Sequence, residues 1–146
     1  MKRYVVDASV ILKWVVGDDR EADQRRALDL LAAWADGAAE IAAPSLWQYE
    51  VGNFLGRHLG QEAMEKMDSL LKLRIRAVNL NENMIQRCFS WMKQRGVTFY
   101  DASYLAVALE IGATLITANQ RFVKKMEEAD QICLLRDLDL QIPLRA

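Results

Sequence analysis

Hydrophobic positions in this chain fall into two kinds of segment: short apolar runs, and longer stretches where apolar residues recur every three or four positions. Tyr4-Val5-Val6, Glu40-Ile41-Ala42-Ala43, Thr114-Leu115-Ile116-Thr117 and residues 131–135 are of the first kind. Such runs suit short strands buried on both faces of a parallel sheet. Arg74-Ile75-Arg76-Ala77-Val78 alternates polar and apolar instead, which predicts an edge strand. Helical spacing predicts a helix over 20–36, with Ala27, Leu30, Leu31 and Trp34 on one face and Gly37 as its stop. A second is expected over 45–59, with Pro44 leading into its first turn and Trp47, Val51, Phe54 and Leu55 near the apolar face. A third, over 61–72, carries Met64, Met67, Leu70 and Leu71. Asn81 or Asn83 is expected to cap a fourth, with the face Ile85, Cys88, Phe89 and Met92, ending at Gly96. An apolar helix over 102–111 is stopped by Gly112, and a short polar one over 120–129 follows Asn119. Ala8-Ser9 reads as a turn, and the tail through Pro143 as loose.

The alternation of strands and helices implies parallel pairing through right-handed crossovers. The expectation is one α/β domain over residues 1–146, with no internal repeat and no linker. At 146 residues the chain can bury a core, and 52% apolar with 27% charged residues is a globular composition. The net charge of −1 provides no global basic field, so a nucleic acid would be held by local patches. Cys88 and Cys133 are far apart and there is one His, which argues against a disulfide framework or a Cys/His zinc site and for a reducing, cytoplasmic setting. A chain that opens on a strand is not expected to carry a signal peptide, and no apolar run approaches the ~20 residues needed to span a bilayer.

The candidate chemistry is acidic. Asp7 ends the first strand, at the carboxyl edge where open α/β sheets bind their ligands, with Ser9 near enough to hydrogen-bond beside it. A turn or capping role is equally open to it. Glu50 lies three residues after Trp47 and four before Phe54, which places it on the apolar face. A carboxylate there is costly unless it is paired or binds a metal; the alternative is a side chain at the edge of the stripe reaching water. Asn53, one turn on, either orients Glu50, contacts a phosphate or is plain surface. Asp101 precedes Leu105, Ala108 and Leu109 on the packing side of an apolar helix, or caps it. Thr117 and Asn119 follow a strand at the same edge as Asp7, with an N-cap as the simpler role for Asn119.

Asp7, Glu50 and Asp101 belong to separate elements that the topology returns to one crevice. Two carboxylates ~4 Å apart repel by roughly 4 kcal/mol at an effective dielectric near 20. Such a cluster takes up protons or a cation, and all-oxygen ligands suit Mg²⁺ or Mn²⁺. Metal-assisted phosphodiester hydrolysis is the chemistry such a site fits.

Val-Val-Asp-Ala-Ser (5–9), Pro44 through Glu50-Val51-Gly52-Asn53-Phe54-Leu55, Tyr100-Asp101-Ala102-Ser103-Tyr104-Leu105-Ala106 and Leu115-Ile116-Thr117-Ala118-Asn119-Gln120-Arg121-Phe122 together resemble the PIN-domain family. Within it the chain looks most like the stand-alone VapC-type toxins of toxin–antitoxin pairs. The resemblance implies a three-layer α/β/α domain around a central parallel sheet of about five strands, with strand one beside strand four. It implies a Mg²⁺- or Mn²⁺-dependent endoribonuclease with an RNA substrate, a homodimer, and inhibition by a small VapB-type antitoxin whose tail enters the site. Asp7, Glu50 and Asp101 match the family's metal-binding acids, and Thr117 its small hydroxyl residue. Asn119 departs from the pattern, because the family's fourth acid usually stands there as Asp. An amide oxygen still ligates but removes one negative charge, so the expectation is one firm metal and a second held weakly or only with substrate.

Two other classes compete. A non-catalytic PIN-like module binding RNA or protein is favoured by Asn119 and opposed by three retained acids. A phosphotransferase on a similar sheet lacks support, since Ser9 stands where haloacid-dehalogenase-like enzymes carry a second Asp, and the receiver-domain acidic pair and Lys are missing. Lys13 and Trp14 either flank an RNA strand or, for Trp14, belong to the core. His58 with Arg57, and Arg121 with Lys124 and Lys125, read as solvated faces or phosphate contacts. Met64 and Met67 read as internal packing or as a partner groove.

Overall fold

A computed structural model of the protein describes residues 1–17, 22–127 and 129–140. Its centre is a sheet of five parallel strands: β1 (Lys2–Val6), β2 (Ala39–Pro44), β3 (Arg76–Val78), β4 (Thr114–Thr117) and β5 (Ile132–Leu134). They lie in the order β3-β2-β1-β4-β5. β1 is central because its apolar run is bonded on both edges, with Val5 opposite Ala42 of β2 and Leu115 of β4. Tyr4, Val5 and Val6 are all buried. The chain moves outward from β1 to β2 and β3, then returns to the other side of β1 for β4 and β5. The carboxyl ends of β1 and β4 therefore flank a topological switch point, where an open α/β sheet forms its crevice.

Among the described residues there are seven α-helices: α1 (Ala8–Lys13), α2 (Ala22–Ala35), α3 (Trp47–His58), α4 (Ala63–Lys72), α5 (Glu82–Arg95), α6 (Phe99–Ile111) and α7 (Gln120–Lys125). Right-handed crossovers running in both directions from β1 place helices on both faces, giving three layers. α6 packs on β1, β2 and β4 and is backed by α5. Its residues from Ala102 to Ala108 are buried without a break, as expected of a helix apolar all round.

Several boundaries differ from the sequence expectation. Residues 8–9 open α1 rather than forming a free turn; the helix has six residues, too few for a period to show, and Asp7 supplies its cap. Trp14 closes α1 in the core, its Nε1–H donating to the Ala27 carbonyl at 2.8 Å, so it flanks no RNA. Pro44 ends β2, paired with Val78, and does not enter α3. The helix expected over 61–72 begins with a 3-10 turn at Gly60–Glu62. Of the two candidate caps, Asn81 holds α5, accepting from the Met84 N–H at 2.9 Å, and Gly96 ends it at φ +66°. α6 starts three residues earlier than expected, because Thr98 caps it. The start of the helix expected over 20–36, position 128 of that over 120–129, and the tail beyond 140 lie outside the described residues.

Candidate active site

The chain turns from β1 into α1 at Asp7, whose extended backbone (φ −93°, ψ 178°) suits an N-cap. Oδ1 of Asp7 accepts from the Val10 N–H at 3.3 Å and from the Ser9 hydroxyl at 2.5 Å. Oδ2 accepts from the Thr117 hydroxyl, at the end of β4. Both hydroxyls are themselves held. Ser9 Oγ accepts from the Ala118 N–H at 2.9 Å and Thr117 Oγ1 from the Asn119 N–H at 3.0 Å. Ser9 and Thr117 thus join the β1–α1 turn to the β4–α7 turn through one carboxylate. Asp7 caps α1 with Oδ1 while Oδ2 is held from the end of β4.

Glu50 lies beside Val51, at the boundary of the α3 face that buries Trp47, Val51 and Leu55. Phe54 is more exposed than its spacing suggests and stacks on His58, ring centroids 4.4 Å apart. The Tyr104 hydroxyl donates to Glu50 Oε1 at 2.6 Å. Asp101 sits in the first turn of α6, where its N–H is bonded by the Thr98 side chain at 3.1 Å, and it caps nothing.

All three carboxyl groups titrate above their ordinary range, in each case chiefly because burial disfavours the charged form. For Asp7 the Ser9, Thr117 and Val10 hydrogen bonds oppose that rise, and the Asp101 charge adds to it. For Glu50 the Tyr104 bond opposes it, while Asp101 and Asp7 add. For Asp101 the Thr98 hydroxyl and Lys125 oppose it. The three acids therefore lie within electrostatic reach of one another. None is in a salt bridge among the described residues, and no three His, Cys, Asp or Glu side chains there close into a ready-made cation cage.

Asn119 caps α7, its Oδ1 accepting from the Phe122 N–H at 3.1 Å. One lone pair of that oxygen is thereby used. Asp101 and Asn119 face a cleft of about 350 Å³ that Thr98, Arg121 and Lys125 also line. Lys125 Nζ donates to the Gly96 carbonyl at 3.1 Å. Asn53 is exposed, and among the described residues its side chain does not hold Glu50; the side chain that does is Tyr104. Met67 packs partly against the core, and Met64 is exposed. Larger cavities, about 380 and 530 Å³, lie around Met1, Arg3 and Tyr4 at the amino end of β1 and contain none of the three acids.

Tyr104 and Thr98 are the residues that sequence reasoning did not single out. The signal for Tyr104 was a hydroxyl-bearing residue within an apolar run, three positions after Asp101. For Thr98 it was a Thr three positions before an acid, the spacing of a capping box.

The donor set fits a hard divalent cation. It consists of oxygens only, Asp101 raises the pKa of both other carboxyl groups, and its hydrogen bonds come from neutral groups that leave the negative charge uncancelled. The PIN domain family model matches residues 4–128 of this chain. A relative named Ribonuclease VapC3, from Pyrobaculum aerophilum, is 29% identical over 130 residues, covering 84% of this chain and 94% of its own length. Among solved structures, a toxin–antitoxin complex from Klebsiella pneumoniae superposes with a TM-score of 0.68 at 17% identity, covering 92% of this chain and 99% of that one. Mycobacterium tuberculosis VapC20, described as a sarcin-ricin loop cleaving toxin, superposes with a TM-score of 0.57 at 18% identity, covering 79% and 87%.

Proposed function

Because the chain belongs to the PIN domain family, we propose that it is a metal-dependent endoribonuclease, the toxin of a toxin–antitoxin pair, with Asp7, Glu50 and Asp101 as its metal-binding acids. One observation carries this reading: three part-buried, mutually repelling carboxyl groups, without a salt-bridge partner among the described residues, near the switch point of a parallel sheet. The relative named as a ribonuclease supports the reaction class. The toxin–antitoxin complex supports a small antitoxin as partner, and the sarcin-ricin loop cleaving toxin supports RNA as substrate. A homodimer is part of the same reading. Among the described residues no helix is long and apolar enough to cross a membrane.

Asp7 and Asp101 are the principal ligands, and Glu50 is a direct ligand or orients water. When bound, a Mg²⁺ or Mn²⁺ ion supplies charge against the phosphate and lowers the pKa of its water. The chain's own contribution is positional. Ser9 and Thr117 fix the Asp7 carboxylate from both sides of the switch point, so its oxygens need little reordering. Glu50, lifted above the ordinary carboxylate range by burial, is the group suited to take a proton from an attacking water. Arg121 and Lys125 provide the cationic wall along which a phosphate backbone lies. Asn119 has the second lone pair of Oδ1 as its sole route to a cation, a weak fourth contact.

The rival is a binding module without catalysis, and Asn119 is the residue that favours it. Cleavage of mixed structured and single-stranded RNAs with Mg²⁺, Mn²⁺ or EDTA separates the two. The expected result is cleavage that requires the metal and falls at least about 100-fold in folded Asp7→Asn and Asp101→Asn variants. Metal-loaded, folded protein that cleaves no RNA establishes the module instead.

A further inference from the structure

Among the described residues, the one hydrogen bond made by the Glu50 side chain comes from the interior of another helix. Tyr104 is 1% exposed, and its hydroxyl donates to Glu50 Oε1 at 2.6 Å. Among the described residues Glu50 Oε2 has no hydrogen-bond partner. Tyr104 lies three residues after Asp101, on the same side of α6. α3 packs mainly on α1 and α4, and α6 on α5 and the sheet, and this bond links the two helices that carry Glu50 and Asp101. A glutamate has three side-chain torsions, and without the phenol its carboxylate would sample many positions beside like charges that repel it. With one oxygen pinned, the other is left for a cation or its water.

We infer that Tyr104 is a positioning residue of the metal site, holding the Glu50 carboxylate in register with Asp101 by donating from α6. The inference rests on the nuclease reading above and adds a residue to it. The competing account is that a buried phenol needs some acceptor and Glu50 happens to be the nearest. The two differ in what removing the hydroxyl does to metal affinity. In the positioning account, Tyr104→Phe keeps the ring and its packing but frees Glu50. Loss of a ligand-orienting partner typically costs 10–100-fold in metal affinity or activity.

Mn²⁺ titration of the full chain by calorimetry, with unfolding followed in EDTA, tests this. Tyr104→Phe is expected to bind Mn²⁺ about tenfold more weakly while its unfolding temperature in EDTA stays close to wild type. On RNA, kcat falls to a similar degree and KM stays within about twofold, as for loss of an interaction that acts on chemistry rather than on substrate binding. A second variant is independent of how Tyr104→Phe folds. Glu50→Asp keeps the charge but leaves the carboxylate one methylene short of the phenol, and it is expected to lose Mn²⁺ affinity to the same degree. Wild-type affinity in either folded variant overturns the inference and leaves the nuclease reading intact. A wild-type protein that neither binds Mn²⁺ nor cleaves RNA overturns both.

Discussion

Glu50 shows at the scale of one residue how a site of this kind costs stability. Its carboxyl titrates above the ordinary range, first because it is buried and then because Asp101 and Asp7 face it, with the Tyr104 bond opposing. The folded chain therefore holds this proton more tightly than the unfolded chain. Stability from this group is full below the ordinary carboxylate range and is lost as pH rises through the raised folded value. Glu50→Gln removes the charge and keeps an oxygen for the Tyr104 hydroxyl. In EDTA at neutral pH the variant is expected to melt a few degrees above wild type. That advantage shrinks as the pH falls into the carboxylate range, where wild-type Glu50 is protonated too. A melting series from neutral to acidic pH checks the sign: a gain that grows on acidification contradicts a raised pKa. The same variant is expected to lose activity, the usual exchange at a destabilised functional site.

At the scale of elements, the strands and long helices were legible in the sequence because their periods are unambiguous, and the turns between them were not. β4 matches the run Thr114–Thr117 as read, and α5 ends at Gly96 as its left-handed conformation requires. What the pattern hid was α1, too short to show a period, and the start of α6. There Val97 through Tyr100 read as a connection, and Asp101 as an acid on the packing side of the helix or as its cap. The acids themselves were legible as misfits: Glu50 at the border of an apolar face, and Asp101 ahead of an apolar helix. Their partners were not, because the hydroxyls of Tyr104 and Thr98 meet them only across a fold or a turn. The shift at α6 has a consequence for the site. With Thr98 as the cap, the Asp101 carboxylate caps nothing and lines the cleft, while its own N–H donates to the Thr98 oxygen at 3.1 Å. Thr98→Ala is expected to cost about 1 kcal/mol of stability, the usual loss for a cap, and to lower activity as the first turn of α6 frays. Urea unfolding together with the RNA assay measures both. A stable variant of full activity means that the sheet alone positions Asp101.

The whole molecule carries a formal charge of −1, and three of the acids within that total are gathered where they repel a polyanion. On the proposed nuclease reading attraction for RNA comes from a local field, for which Arg121 and Lys125, lining the cleft beside Asp101, are the candidates. Each phosphate that a basic side chain neutralises on a single strand releases condensed counterions and contributes roughly 0.7 to the slope of log affinity against log salt. Arg121→Ala and Lys125→Ala, built into the cleavage-deficient Asp7→Asn protein, are each expected to weaken RNA binding and to flatten that slope by roughly 0.7. The loss should be nearly the same for RNAs of different sequence, because phosphate contacts position a strand without reading its bases. Lys124, on the same short helix but not in the cleft lining, is the internal comparison: Lys124→Ala should leave the slope closer to that of the parent. Fluorescence anisotropy across a salt series in EDTA measures all three. An equal flattening by Lys124→Ala would mean that α7 acts through its general charge. No flattening by any of the three would place the strand elsewhere on the molecule and leave the cleft as an access path for water.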